Sequence, residues 1–184
     1  MIRTFIGIEF SDEVKDGIIQ AQNMVRSKSI KGRWKYIKNF HLTLKFLGDV
    51  KEEDIERIYQ NMMDRIDVKR FDITAHGIGS FKGRDCLRVV FMDIVDGKEG
   101  LQKLSAEVDD ACFDSGFKRE NKGFTPHITI AQDVVLNDEL RKLSENINRL
   151  PMIIIPIFNV SIIKSSQENG RRIYETIKRV PLAK

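Results

Sequence analysis

The chain has 184 residues, of which 41% are hydrophobic and 32% charged, with a formal net charge of +4 and a pI near 9.0. That length suits one domain, or two lobes sharing a core, and buries roughly 70% of the unfolded surface, so neither disulfide nor metal staples are needed. No run approaches the ~18 apolar residues of a spanning helix and the N-terminus lacks a signal-peptide pattern, so a cytoplasmic protein is expected, while the mild basicity favours a polyanionic partner without requiring one.

Residues 4–10 (TFIGIEF) read as a strand. Ser11 then offers an N-cap, with Asp12 and Glu13 in the first turn. Val14, Ile18, Ala21 and Val25 follow at helical spacing. The basic stretch 28–38 reads as a loop or irregular extension. Residues 41–47 (HLTLKFL) read as a strand closed by Gly48. Ile55, Ile58, Met62 and Ile66 mark a second helix, and 71–78 another strand running into a turn-like 77–80. Residues 87–95 are a strand, and Leu101, Leu104, Val108 and Ala111 a helix that Gly116 can terminate. Residues 127–131 (HITIA) are a strand. Asn137 can cap a helix carrying Leu140, Leu143, Ile147 and Leu150. Residues 153–163 read as one strand, with Pro156 implying an edge or bulge. A last strand is expected over 172–180, after the turn signal Glu168-Asn169-Gly170.

Each half thus reads strand, helix, His-x-Thr strand, helix, strand. Ile6 precedes His41 by 35 positions and Val90 precedes His127 by 37. The matched halves predict two similar lobes related by a pseudo-twofold.

The chain holds three histidines, and two stand two positions before threonine: His41-Leu42-Thr43 and His127-Ile128-Thr129. With so few threonines, two of three histidines meet that condition by chance roughly 0.3% of the time. In a strand, positions i and i+2 share a face. Each motif therefore presents an imidazole and a hydroxyl together, while Leu42, Leu44, Ile128 and Ile130 point into a core. An imidazole titrates near pH 6.5, so one ring can take a proton from a nucleophile while the other supplies one to a leaving oxygen. The threonine hydroxyls can donate to phosphoryl oxygens. The near-symmetric motifs leave open which ring is acid and which is base. A single His-x-Thr would be an ordinary structural pair, since Thr favours strands, so the inference rests on the two together. His76 lacks the motif and reads as a non-catalytic strand-end residue. Cys86 and Cys112 read as plain core or strand residues, and neither a zinc site nor any other metal or cofactor site is expected.

Residues 40–48 (FHLTLKFLG) and 124–131 (FTPHITIA) resemble the two signatures of the 2H phosphoesterase superfamily. Within it the chain is similar to bacterial and archaeal RNA 2′,3′-cyclic phosphodiesterases, also called 2′-5′ RNA ligases. The similarity extends to residues 3–9, to Gly32-Arg33-Trp34, to 77–81, and to Lys164-Ser165-Ser166 with Gly170 and Tyr174. It implies an α+β, bilobal, pseudo-twofold fold, with two antiparallel sheets lining a central cleft and helices outside, spanning 1–184 as a single unit. It implies metal-independent hydrolysis of a terminal 2′,3′-cyclic phosphate to a 2′-phosphomonoester, and joining of tRNA halves through a 2′-5′ linkage. By the same resemblance His41 is the proton donor and His127 the proton acceptor, with Thr43 and Thr129 on the phosphate. Relatives often carry Arg where this chain has Gln132, which donates a hydrogen bond without charge.

Arg33, Trp34 and Lys35 precede the first motif, and Lys118, Arg119 and Lys122 the second. With Phe124 and Gln132, the first three are candidate contacts to a single-stranded RNA end, through phosphate pairing and base stacking. Trp34 fits equally well as a core plug. Arg171, Arg172, Lys178 and Arg179 read as surface charge. Two other functions fit the residues: a 2H enzyme acting on a small cyclic phosphate, and a non-catalytic module that binds RNA ends. A monomer is expected, because the repeat supplies both halves of the site.

Overall fold

The computed structural model describes residues 1–121, 123–137 and 140–184. The first strand, β1 (Ile2–Glu9), leads into helix α1 (Asp12–Ser27). Ser11 caps that helix as expected, its hydroxyl accepting from the Val14 amide at 3.3 Å. The rest of the first half is β2 (Ser29–Trp34), a 3-10 turn at Ile37–Asn39, β3 (His41–Val50), α2 (Glu52–Arg65) and β4 (Phe71–Lys82). The second half is β5 (Leu87–Asp96), α3 (Lys98–Asp114), β6 (His127–Leu136), α4 (Leu140–Ile147), β7 (Ile153–Ile157), β8 (Asn159–Glu168) and β9 (Arg171–Pro181). Among the described residues, no helix is long and apolar enough to cross a membrane.

The strands form two antiparallel sheets, one ordered β3-β1-β8-β9 and the other β2-β6-β5-β4-β7. In each, the His-x-Thr strand pairs with the opening strand of its own half: β3 with β1, and β6 with β5. The strand on the far side of each opening strand comes from elsewhere in the chain. β4, which closes the first half, pairs with β5, and β8 returns to pair with β1. The helices cross over in the same way. α1 and α4 pack together against β6, β7 and β4, whereas α2 and α3 pack together against β9 and β3. The expected pseudo-twofold is therefore present, with two lobes that exchange elements. The predicted apolar faces are buried: Val14, Ile18, Ala21 and Val25 in α1; Ile55, Ile58 and Met62 in α2; Leu101, Leu104, Val108 and Ala111 in α3.

Several elements differ from the sequence reading. Residues 29–34 are a strand rather than a loop. β2 is a polar edge strand held by its pairing with β6, so it shows no apolar alternation. Gly48 does not close β3, nor do residues 77–80 end β4. Both glycines adopt positive φ inside their strands, at register shifts where the ladder bulges. His76 consequently lies within β4, beside its bulge, rather than at a strand end. Residues 153–163 are two strands in different sheets, with Phe158 between them, because the chain leaves one lobe for the other there. Pro156 does sit on an edge strand, β7. Asn169 and Gly170 make the hairpin turn between β8 and β9, both at positive φ. Gly116 ends α3 at φ +88, beyond the Ser115 cap. The capping expected of Asn137 turns on residues 138 and 139, which lie outside the described residues, as does Lys122. The thiols are free: Cys112 is buried in α3, and Cys86 is half-buried between β4 and β5.

Candidate active site between the two histidine strands

β3 and β6 approach each other, and between the lobes lies a cleft of about 1140 Å³. His41, Thr43, His127 and Thr129 all line it. The alternation that places them there also buries Leu42, Ile128 and Ile130 behind them, while Leu44, at the bulge, is buried against the cleft wall. Each imidazole is oriented by the backbone two residues earlier. His41 Nδ1 lies 2.7 Å from the Asn39 carbonyl, and His127 Nδ1 lies 2.8 Å from the Thr125 carbonyl. A carbonyl only accepts, so Nδ1 carries the proton in both rings and donates it. Nε2 is then the nitrogen left for chemistry. In His41 it lies 2.9 Å from Thr43 Oγ1, whose hydroxyl donates to it while the ring is neutral.

Each ring is also held by two aromatic side chains. His41 contacts Phe5 at 4.7 Å and Tyr174 edge-on at 5.1 Å between centroids. His127 contacts Phe91 at 5.1 Å and Phe81 edge-on at 5.4 Å. Two glycines permit this. A Cβ on Gly7 would stand 2.6 Å from the Leu42 carbonyl oxygen, where β1 closes on the first motif. A Cβ on Gly79 would stand 2.4 Å from the Phe91 ring, which lies over that glycine on its way to His127.

The two histidines sit in unequal surroundings. His41 is only 6% exposed, and its pKa is lowered to about 3. Burial is the main cause, and repulsion from the Lys35 ammonium adds to it, as does coulombic interaction with His127. Lys35 is itself lowered to about 8 by burial. Its ammonium stands 5.4 Å from the Tyr174 ring centre. The cleft therefore holds His41 neutral beside a cation of reduced basicity.

Every other residue expected at the site lines the cleft: Arg33, Trp34, Lys35, Phe124 and Gln132. Trp34 also packs on the core, with Arg26 over its ring at 5.8 Å, so it lies between the two roles open to it. Arg33 is bound to Asp133, with Nε 2.8 Å from Oδ2, which compensates its charge. Gln132 sits opposite Arg33 in the ladder and is exposed. Arg119 spends its charge on Asp110 and Asp109. Arg171 and Arg172, read from the sequence as surface charge, line the cleft instead. Lys178 and Arg179 do sit outside it, paired with Glu56 and Glu9. The sequence reading missed Asn39, Phe5, Phe81 and Phe91 as parts of the site, because strand aromatics carry no mark that separates a site wall from a core. Among the described residues, no three His, Cys, Asp or Glu side chains converge as metal ligands.

Comparison with known proteins agrees with this geometry. A family model described as the 2′-5′ RNA ligase superfamily matches residues 34–167. An RNA 2′,3′-cyclic phosphodiesterase of Thermotoga maritima is 32% identical, over 96% of this chain and 93% of that protein. One of Methanocaldococcus jannaschii is 29% identical, over 96% of this chain and 99% of its own length. Among solved structures, Escherichia coli LigT complexed with 3′-AMP superposes with a TM-score of 0.79 at 26% identity, covering 100% of this chain and 99% of that one.

Proposed function

The chain belongs to the 2′-5′ RNA ligase superfamily, and from that premise we propose that it hydrolyses 2′,3′-cyclic phosphate ends of RNA to 2′-phosphomonoesters by two-histidine acid–base catalysis. The observation that carries the reading is the pair of imidazoles on one cleft, each fixed through Nδ1 with a same-face threonine two residues on. Water attacks phosphorus as His127 Nε2 takes its proton. The bond from phosphorus to the 3′-oxygen breaks, and His41 Nε2 delivers a proton to that oxygen. Thr43 and Thr129 donate to the non-bridging oxygens. Lys35, Arg171 and Arg172 supply positive charge for the phosphodiester backbone, and Trp34, Phe124 and Tyr174 supply faces for bases.

The neutral resting state of His41 has a consequence for this assignment. A donor must arrive protonated, and the free ring is not. A cyclic phosphate carries one negative charge. Its arrival sets an attraction against both the burial and the repulsion from Lys35, and so favours protonation of His41. A 5′-hydroxyl in place of water, activated by the same base, would give a 2′-5′ linkage between tRNA halves. We take residues 1–184 as one catalytic unit, active as a monomer and working in the cytoplasm, with no metal in the reaction.

The test is incubation with RNA ending in a 2′,3′-cyclic phosphate, in excess EDTA, for wild type, His41→Ala and His127→Ala. Turnover should persist in EDTA and fall about 10²–10⁴-fold in each variant. Loss of wild-type activity in EDTA, or an alanine variant at full rate, would overturn the mechanism.

A further inference from the structure

The two motifs share a second feature that the acid–base scheme does not use. Each histidine is held by the carbonyl two residues before it, on the segment that leads into its strand: Asn39 for the first, Thr125 for the second. Each approach segment is tied to the strand that carries the other motif. For the first, Gln22 of α1 donates through Nε2 to the Lys35 carbonyl at 2.8 Å and to the Ile130 carbonyl of β6 at 2.7 Å. For the second, the tie is an ion pair with a buried cation and a partly buried carboxylate. Lys45 of β3, its side chain 4% exposed, pairs with Asp109 of α3. Lys45 Nζ also donates to the Lys118 carbonyl at 2.9 Å, and Asp109 Oδ1 accepts from the Glu120 amide at 3.1 Å.

The pseudo-twofold that relates α1 to α3 and β6 to β3 relates these two ties. Lys45 reaches its place through a bulge. The β1–β3 register passes from Gly7–Thr43 to Ile6–Lys45, skipping Leu44. Lys45 is thereby set opposite the buried Ile6 and meets Asp109 of α3 at the wall of the same cleft that His41 and Thr43 line. A buried ion pair is a poor source of net stability, because desolvating two charges offsets their attraction. This pair also takes both poles of one backbone stretch, the cation a carbonyl and the carboxylate an amide. That is a geometric restraint on residues 118–120, and it acts on the segment that delivers the Thr125 carbonyl.

We propose that Lys45 and Asp109 are positioning residues for the second motif: they anchor its approach segment to β3 so that His127 is held, by the Thr125 carbonyl, in register with His41. The kinetic consequence rests on the function proposed above, whereas the structural one does not.

The experiment compares wild type with Lys45→Met/Asp109→Leu, which exchanges the pair for apolar side chains of similar size, and with Lys45→Arg, which keeps the charge. Three quantities are read: hydrogen exchange at residues 119–121, the His127 Nδ1 proton by NMR, and kcat and KM on a cyclic-phosphate RNA end. In the double variant, exchange at 119–121 should speed up and the Nδ1 proton signal broaden or vanish. kcat should fall about ten- to a hundredfold, with KM within about threefold, and Lys45→Arg should restore most of each. Should the double variant not fold, Asp109→Asn keeps the side chain's size and removes its charge, and it should give the same direction in all three, more weakly. A folded variant with wild-type exchange and an unchanged His127 signal overturns the proposal. Wild type without turnover overturns the proposed activity alone, and the NMR and exchange results then decide the positioning role.

Discussion

Burial of a neutral imidazole makes the fold sensitive to acid, and His41 gives a magnitude. Its folded pKa is about 3, against an ordinary 6.5 in the unfolded chain. The unfolded state therefore binds more protons between those values. The contribution of His41 is fully present above pH 6.5 and is lost progressively as pH falls toward 3. At pH 4.5 the unfolded ring is almost wholly protonated and the folded one almost wholly neutral. The difference amounts to about 3 kcal/mol from this residue. With a urea slope of about 2 kcal/mol per molar for a chain of this size, it moves the unfolding midpoint by about 1.5 M. Carboxylates titrate over the same range, so the measurement is a double difference. Urea midpoints are taken at pH 7 and pH 4.5 for wild type and for His41→Asn. Wild type should lose about 1.5 M more than the variant between the two pH values. Equal losses in both proteins, or an NMR titration placing His41 near 6.5, would refute the reasoning.

Three further outcomes follow from the same site. RNA ending in a 2′,3′-cyclic phosphate, a diester that does not titrate near neutrality, should bind His127→Ala with proton uptake near pH 7, seen as a dependence of calorimetric enthalpy on the buffer's ionisation heat; binding with no net proton exchange would remove the case for substrate-induced protonation of His41. Lys35→Met takes away one of the charges that hold His41 neutral, so the ring's pKa should rise, while burial keeps it below 6.5; an NMR titration unchanged from wild type would show that Lys35 does not act on it. Gly79→Ala drives a methyl into the Phe91 ring that supports His127, which should cost about 1–3 kcal/mol of stability, and a melting temperature equal to wild type would show that the ring has room to move.

Much of this protein is legible in its amino-acid order, because the information is local. A period of 3.6 places Val14, Ile18, Ala21 and Val25 on one helix face, and a period of two places His41 with Thr43 and His127 with Thr129 on the same side of their strands. Ser11 and the Asn169-Gly170 turn are read from short-range chemistry alone. Positive-φ glycines mislead for the same reason. Gly48 and Gly77 mark a special backbone conformation, but a bulge and a turn leave the same trace in sequence. The polar strand β2 has no local signal, since its pairing to β6 is what makes it a strand.

The sequence by itself thus determined the two motifs, the faces they occupy, and the matched order of elements in the halves. Only the tertiary structure decided how those halves are joined. That β8 returns to β1, that β7 pairs with β4, and that Phe158 stands between two sheets follow from pairings between distant segments, which no window of the chain contains. The same holds for the inequality of the histidines. Their motifs are near copies, yet burial, Lys35, and the rings of Phe5 and Tyr174 converge on His41 from strands up to 133 residues away in the chain. Protonation depends on what surrounds a group in space, and a repeated motif repeats only the group.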